Sequence, residues 1–292
     1  MTKLLIIMDP THKHQVALSR GIELARATGA SLEVVAFVHE YLDVLPADPA
    51  VQKNARQSLI ELRQQWLNQM LAFSECADLK IERHTVWEKQ IHQWIRKRCQ
   101  QESFQAVIKT GHRSETFLYT PTDWHLLREC PAPVMLVAAN KWRKASPILA
   151  AVDLSSDKPV KKALNNRIID RAWHLARAMN TELHLVHALH TAPILADLNI
   201  IDLAAHARKR EAALKPKIEH LCNTWHLTPE QVHIASGPAQ KVLPDVASEL
   251  KADMVVIGTT GKTGLTAKVI GNTAEKVLTQ LRTDLLAIKP AE

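Results

Sequence analysis

A glycine-rich stretch in the second half of the chain could bind a phosphate group. Gly258 and Gly261 are separated by two residues, and Gly271 follows nine residues later, directly before Asn272 and Thr273. Glycine lets a backbone approach phosphate oxygens closely and offer its N–H groups, and a helix N-terminus adds partial positive charge. We therefore expect Gly258 and Gly261 to form a phosphate loop. We expect Gly271, Asn272 and Thr273 to present hydrogen-bond donors at the start of a helix.

Three further residues end apolar segments that we predict to be β-strands: Asp153, Ala188 and Ile257. In open parallel sheets, ligands bind beyond the carboxyl ends of the strands, where the strand order reverses. The Asp153 carboxylate could accept hydrogen bonds from a ribose or a base, and the apolar side chains of Ala188 and Ile257 could pack against the base. We interpret these residues as candidate ligand contacts.

Two better-known phosphate motifs do not fit this stretch. Gly261, Lys262 and Thr263 match the end of a Walker A loop, GxxxxGK[ST], but Val256 stands at its first glycine. The dinucleotide fingerprint GxGxxG should follow the first strand, where residues 153–156 read Asp-Leu-Ser-Ser. Glycine clusters also shape tight strand-to-helix turns. From the residues alone, a phosphate loop and a purely structural turn both stay open.

The elements that must position these residues occur twice along the chain. An apolar run that ends in aspartate is found at residues 4–9 and again at 148–153. Each copy continues with helices that alternate with apolar segments, and each closes with a helix and a strand, at 134–137 and 285–288. Such alternation is typical of a parallel sheet buried on both faces. We predict an α/β protein of two tandem, doubly wound, Rossmann-like domains.

The predicted domain boundary is a polar segment that ends at Pro147. We place the domains at residues 1–141 and 146–292. Because the linker is short, we expect the domains to pair as identical subunits would around a two-fold axis. A homodimer of the whole chain is left open.

One long helix is predicted over residues 54–71. Leu59, Leu62, Trp66 and Met70 recur there at helical spacing. This stripe favours a seam that packs against the sheet.

Composition excludes several classes of protein. The chain has 292 residues, 46% of them hydrophobic and 23% charged, which is typical of a globular protein. No apolar run approaches the roughly 20 residues that a membrane span needs, and residues 1–9 do not resemble a signal peptide. The four cysteines form no CxxC pair, so no zinc ribbon or redox dithiol is predicted. The net charge of +7 is spread over both halves, which does not favour nucleic acid as a partner.

The segment Gly258-x2-Gly261-x9-Gly271 resembles the nucleotide loop of ATP-binding universal stress proteins, G-x2-G-x9-G-[ST]. Asp153 and the closing strand also stand where that family has them, and the resemblance covers essentially the whole chain as two copies. It implies a five-stranded sheet in each copy, of the adenine nucleotide alpha hydrolase-like type. It also implies a cytoplasmic role in stress resistance, including tolerance of DNA damage.

The resemblance further implies that the second copy binds ATP, with magnesium left open. The implied contacts are Asp153, Ala188, Ile257, Gly258, Gly261, Gly271, Asn272 and Thr273. Asn272 departs from the family pattern, which has Ser or Thr there, although an asparagine amide can still donate a hydrogen bond to a phosphate.

The first copy departs further from the family pattern. When the two copies are aligned, larger residues of the first copy stand opposite all three glycines: Lys109 opposite Gly258, His112 opposite Gly261 and Thr120 opposite Gly271. The loop of the first copy is two residues shorter. These side chains would fill the space of the phosphates, so we predict one nucleotide site per chain. A different small ligand in the first copy, such as an anion attracted by Lys109, His112 and Arg113, is left open.

No catalytic or metal-ligating residue is predicted. ATP hydrolysis needs a positioned water, usually a metal ion, and stabilisation of charge on the transferred group. Lys262 could supply charge, but the sequence shows no second carboxylate or catalytic base near the loop. Histidines such as His184 and His187 are better explained by packing than by metal binding. We expect a nucleotide-binding stress protein; a slow ATPase and a ligand-free interaction scaffold are the alternatives.

Overall fold

A computed structural model describes residues 2–11, 14–46, 48–111, 121–138, 142–143, 145–189, 203–259 and 272–290. These residues form two units. The described residues up to 138 belong to the first unit, and those from 142 onward belong to the second. Within these residues, no helix is both long enough and apolar enough to span a bilayer.

The first unit alternates strands and helices. Its elements are β1 (Lys3–Ile7), α1 (Val16–Thr28), β2 (Ser31–Val38), α2 (Pro49–Phe73), β3 (Ile81–Trp87), α3 (Ile91–Gln101), β4 (Ala106–Thr110), α4 (Pro121–Glu129) and β5 (Val134–Val137). The strands lie in the order β3-β2-β1-β4-β5 and pair in parallel. The first strand of the copy is therefore at the centre of its sheet.

The second unit repeats this arrangement. Its elements are β6 (Ile148–Ala151), α5 (Pro159–Ala178), β7 (Leu183–Leu189), α6 (Leu203–Trp225), a 3-10 turn (Pro229–Gln231), β8 (Val232–Ser236), α7 (Ala239–Glu249), β9 (Met254–Gly258), α8 (Asn272–Gln280) and β10 (Asp284–Ile288). The strand order is β8-β7-β6-β9-β10, again parallel. The prediction of an α/β chain with two tandem, doubly wound, five-stranded parallel sheets is confirmed.

The central strands of both sheets are buried because they are apolar on both faces, whereas the outer strands β3 and β8 are partly polar and only half-buried. Leu5 in β1 and Leu149 in β6 are fully buried, and the same holds for most residues of these central strands. Burying one such side chain stabilises the fold by about 1.5–3 kcal/mol relative to leaving it exposed. The two central strands therefore hold their carboxyl ends rigidly in place.

The predicted seam of α2 is wrong by one position. Leu67 and Leu71 are the buried residues of this helix, whereas Leu62 is 61% exposed and Trp66 is half-buried. Apolar residues stand next to each other at 66–67 and 70–71, so the spacing alone did not decide which face packs inward. Trp66 instead forms a cation–π contact with Arg63, whose guanidinium carbon lies 5.0 Å from the ring centre.

Strand register also corrects the alignment of the two copies. Ile6 pairs with Ile108, and Ala150, which stands at the same distance before its strand-end aspartate, pairs with Val256. Lys109 therefore matches Ile257, and Thr110 matches Gly258. The closing strands agree, because Val137 pairs with Thr110 and Ile288 pairs with Gly258.

The predicted match of Lys109 with Gly258 is thus wrong by one residue. The segment that leads to the next helix has 10 residues in the first copy, 111–120, and 13 in the second, 259–271. The first copy is therefore shorter by three residues rather than two. His112, Arg113 and Thr120 lie outside the described residues.

Candidate functional site

Three predicted contact residues lie at the carboxyl-terminal ends of neighbouring strands in the second sheet. β7, β6 and β9 are neighbours, and Ala188, Asp153 and Gly258 stand at or just beyond their carboxyl ends. The chain leaves β6 for β7 on one side and later returns as β9 on the other. The strand order therefore reverses here, which is where open α/β sheets bind ligands.

The rest of the predicted loop is described only in part. Gly261 and Gly271 lie outside the described residues. Asn272 and Thr273 begin α8, as predicted for the start of the last helix, but their side chains lie outside the described part of the chain.

Asp153 closes a tight turn after β6. Its Oδ1 accepts hydrogen bonds from the Ser155 amide at 3.1 Å and the Ser155 hydroxyl at 2.5 Å. The Asn165 side chain fixes the backbone of the same residue, since it accepts from the Asp153 amide at 3.0 Å and donates to the Asp153 carbonyl at 2.8 Å. The carboxylate is consequently held in one orientation at the end of the central strand.

The first copy builds the same turn with different residues. Asp9 Oδ1 accepts from the Thr11 amide at 3.0 Å and the Thr11 hydroxyl at 2.6 Å. Gln15 accepts from the Asp9 amide at 3.0 Å and donates to the Asp9 carbonyl at 2.6 Å. Because both copies share this turn, the strand-end aspartate has a structural role whether or not a ligand binds. The functional difference between the copies must lie in the groups around it.

Two lysines lie beside the Asp153 turn, and each contacts a carboxylate: Lys161 contacts Asp153, and Lys217 contacts Asp157 at 3.1 Å. Lys161 Nζ lies 2.5 Å from Asp153 Oδ2, and Lys217 Nζ donates to the Leu154 carbonyl at 3.0 Å. Burial by itself would raise the pKa of Asp153, but the hydrogen bonds from Lys161 and Ser155 outweigh it and lower the pKa below its usual value. Asp153 is therefore ionised near neutral pH, with two ammonium groups close by.

Sequence reasoning missed these lysines and Asn165. A signal was present for two of them, because Lys161 and Asn165 are four residues apart in the helix that follows Asp153 and so share one face. Lys217 belongs to the distant helix α6, and its approach to Leu154 follows only from the tertiary fold.

His187 supports the turn from β7. Its Nδ1 lies 3.1 Å from the Val152 carbonyl oxygen and 3.3 Å from the Leu154 amide nitrogen. The side chain is 3% exposed, and this burial lowers its pKa, so the ring is neutral near pH 7. The interpretation of His187 as a packing residue agrees with this placement.

The other predicted contacts have mixed surroundings. Ile257 is 3% exposed, so its side chain belongs to the core, whereas Ala188 is half-buried beside Ala235. A Cβ on Gly258 would come within 2.7 Å of Leu164 Cδ2, one of two α5 side chains that it would meet. The close approach of α5 therefore explains a glycine at position 258 without any ligand.

Comparison with known proteins follows the two-copy architecture. The family model for the universal stress protein family matches residues 1–138 and 145–289. Universal stress protein E of Salmonella typhi is 34% identical over 299 residues, which cover 99% of this chain and 94% of that protein. The chain belongs to the universal stress protein family.

A second relative agrees with this assignment, and a solved structure agrees with the fold. Universal stress protein E of Escherichia coli strain K12 is 33% identical, over 98% of this chain and 93% of its own length. A solved structure of a universal stress protein from Archaeoglobus fulgidus superposes with a TM-score of 0.70, covering 99% of this chain and 98% of its own. At 16% identity that likeness shows the fold alone.

In this universal stress protein, the two copies differ in charge where the fourth strand ends. Lys109 near the end of β4 matches the buried Ile257, and its Nζ lies 2.9 Å from Asp123 Oδ1. Asp123 belongs to the first turn of α4 and is fully buried. The first copy therefore buries a lysine–aspartate pair between the end of β4 and the first turn of α4. The first turn of α8 also has an acidic residue, Glu275, so the copies differ in the buried pair and not in the presence of a carboxylate.

Proposed function

We propose that the second unit binds ATP at the carboxyl ends of β6, β7 and β9. The observation that carries the proposal is the pair of ammonium groups, Lys161 and Lys217, at the edge where the glycine-bearing segment begins at Gly258. A triphosphate is strongly anionic, so these lysines would attract it. The glycines at 261 and 271 would let backbone amides reach its oxygens.

Asp153 would contribute in a different way. One carboxylate oxygen is bound by Ser155, while the other contacts Lys161, whose side chain is about two-fifths exposed. A phosphate would draw Lys161 away, and Asp153 Oδ2 would then be able to accept a hydrogen bond from a ribose hydroxyl. Ala188 would lie beside the base.

We propose a single nucleotide site per chain. In the first unit, the buried carboxylate of Asp123, paired with Lys109 in the first turn of α4, would oppose the approach of a phosphate to the helix. The family membership supports a role in stress resistance, including tolerance of DNA damage, and a cytoplasmic location. Pairing of the two domains, and any homodimer, stay predictions.

Calorimetric titration of the full chain with ATP and magnesium tests this proposal. We expect one site per chain and a melting temperature that rises with ATP concentration, because a ligand that binds the folded state stabilises it. Gly261→Val should abolish binding, and Lys161→Ala together with Lys217→Ala should weaken it at least tenfold. Lys241→Ala, which changes an exposed lysine of α7 in the same unit, is the matched control.

Two results would contradict the proposal. One is ATP binding by Gly261→Val at the parent's affinity. The other is an equal loss of affinity in the Lys241 variant, which would indicate a general charge effect. Phosphate release from the same samples would distinguish a binder from a slow ATPase, and no binding at millimolar ATP would favour the ligand-free scaffold.

A further inference from the structure

We propose that the first unit carries a site for a divalent transition-metal ion between α3 and α4, formed by His92, His125 and Glu129. The ligand atoms of these three side chains all lie within 4.8 Å of one another, and each side chain is half-buried. The site is independent of the proposed nucleotide site, which lies in the other unit.

The two helices bring the three side chains together. His125 and Glu129 are four residues apart in α4 and therefore share one face; His125 Nδ1 lies 3.1 Å from Glu129 Oε1. His92 stands near the start of α3, and its ring stacks on that of His125 with centroids 4.1 Å apart and planes inclined by 13°. The spacing of His125 and Glu129 on α4 and the packing of α3 against α4 thus bring the three side chains together.

His92 has the character of a metal ligand rather than of a structural hydrogen-bonding group. Among the described residues, its ring contacts His125 by stacking and makes no hydrogen bond. Imidazole is the commonest metal ligand in proteins, and no hydrogen bond within the described residues competes for the nitrogens of this ring.

Glu129 is already oriented for this role. Its Oε1 faces His125, while its Oε2 lies 3.6 Å from Arg96 Nη1. One oxygen can therefore bind a metal while the other keeps its contact with Arg96. Outer contacts of this kind typically hold carboxylate ligands in place at metal sites.

The ligand set indicates the chemical class of the ion. Two imidazole nitrogens and one carboxylate oxygen suit zinc and its neighbours in the first transition row, and disfavour calcium and magnesium. Zinc binds such atoms at about 2.0–2.2 Å, and a tetrahedral site leaves a fourth position for water. Small rotations of these half-buried side chains would bring the ligand atoms, which now lie within 4.8 Å of one another, to that geometry.

A second group of possible ligands in the same unit shows the contrast. Glu33, Glu82 and His84 also lie close together. However, Lys3 contacts both glutamates, at 3.4 and 3.0 Å, and Arg98 contacts Glu33 at 2.7 Å. Protein cations already neutralise that group, so we assign it no metal.

The test uses zinc chloride and cobalt chloride with the full chain after removal of metal by a chelator and dialysis. Calorimetry at pH 7.5 should show one zinc ion bound per chain above a weak background from other histidines. His92→Ala, His125→Ala and Glu129→Gln should each lower the affinity at least tenfold. Cobalt bound to the parent should show the visible absorption of a site with nitrogen and oxygen ligands.

His174→Ala provides a matched control. His174 and Asp170 also form a histidine–carboxylate pair four residues apart on a helix, at 3.3 Å, but the only ring beside His174 in the described structure is Trp173. This variant should bind zinc like the parent. Melting temperatures of all four variants without metal should remain close to the parent's, because the changed side chains are at least partly exposed.

Three outcomes would overturn the proposal. The first is parent-like zinc affinity in the His92 variant when it is folded. The second is an equal loss of affinity in the His174 variant. The third is a sulfur-to-cobalt charge-transfer band, which would assign binding to thiols such as the neighbouring Cys99 and Cys130, whose sulfur atoms are 3.8 Å apart.

Discussion

Lys109 Nζ lies 2.9 Å from Asp123 Oδ1, and the two side chains are only 8% and 0% exposed. The lysine comes from the fourth strand of the first copy and the aspartate from the first turn of the next helix. In the second copy, the apolar Ile257 and Ala274 stand at the matching positions. The first copy therefore has a buried ion pair at positions where the second copy has two apolar residues.

Removal of one partner of this pair should destabilise the first unit. Lys109→Met leaves the buried Asp123 carboxylate without its lysine partner, and such losses typically cost about 3–5 kcal/mol. We expect a clear fall in the urea concentration at which the first unit unfolds. The double variant Lys109→Met and Asp123→Leu should recover most of the loss, because an apolar pair replaces both charges. Equal midpoints for the parent and the single variant would show that the pair is not coupled.

Gly258→Ala should destabilise the second unit because its Cβ would overlap α5. The new carbon would lie 2.7 Å from Leu164 Cδ2 and 2.9 Å from Ile168 Cδ1, and overpacking of this kind costs about 1–3 kcal/mol. The cost should be smaller in a Leu164→Ala background, where only the contact with Ile168 remains, and a double-mutant cycle of urea unfolding would measure the difference.

Gly29→Ala is the control for that cycle. Gly29 ends α1 with a φ of +68° and has nothing within 4 Å of its Cβ position, so its cost comes from backbone strain alone. That cost should be the same with and without Leu164→Ala. If Gly258→Ala behaved in the same additive way, packing against α5 would not be the reason for the glycine.

The pKa of Asp153 should respond to Lys161. Lys161 and Ser155 hold this pKa below the ordinary value of 3.8 against the opposing effect of burial. Since the folded pKa lies below the unfolded one, the ionised Asp153 stabilises the fold above the ordinary pKa, and this contribution is lost as the pH falls through the folded pKa. In Lys161→Met, a carboxyl ¹³C NMR titration should place the pKa higher than in the parent. An unchanged midpoint would mean that Ser155 alone sets it, and Lys241→Met should leave it unchanged.

Much of the fold could be predicted from the sequence because each copy repeats the same pattern of apolar strands. The sequence predicts the closing strands at 134–137 and 285–288 within one residue of their observed bounds. Asp9 and Asp153 were also placed correctly just beyond the central strands. Such signals depend on local composition, which the chain itself displays.

The misplaced details depend on tertiary packing. The match of Lys109 with Gly258 is off by one residue because the sequence spacing between the two copies does not determine which residues of neighbouring strands pair. The observed pairing of each fourth strand with its central strand determines the alignment. A charged residue inside an apolar strand gave no indication of its partner, since Asp123 lies beyond a loop. The seam of α2 was ambiguous for a related reason: two adjacent apolar positions cannot show which of them faces the sheet.

His187 should make the stability of the second unit depend on pH. Burial is the main reason why its pKa is lowered in the folded chain, whereas the unfolded chain takes up a proton near pH 6.5. The contribution of the neutral ring is therefore complete above about pH 6.5 and is lost as the pH falls through the folded pKa. We expect the urea midpoint of the parent to fall between pH 7.5 and 5.5.

His187→Gln, whose amide can still donate to the Val152 carbonyl, should show a smaller fall. His233 also has a pKa lowered by burial, so the variant should keep part of the dependence. The exposed His174→Gln should leave the parent's pH dependence intact, and a fall in His187→Gln as large as the parent's would contradict the assignment.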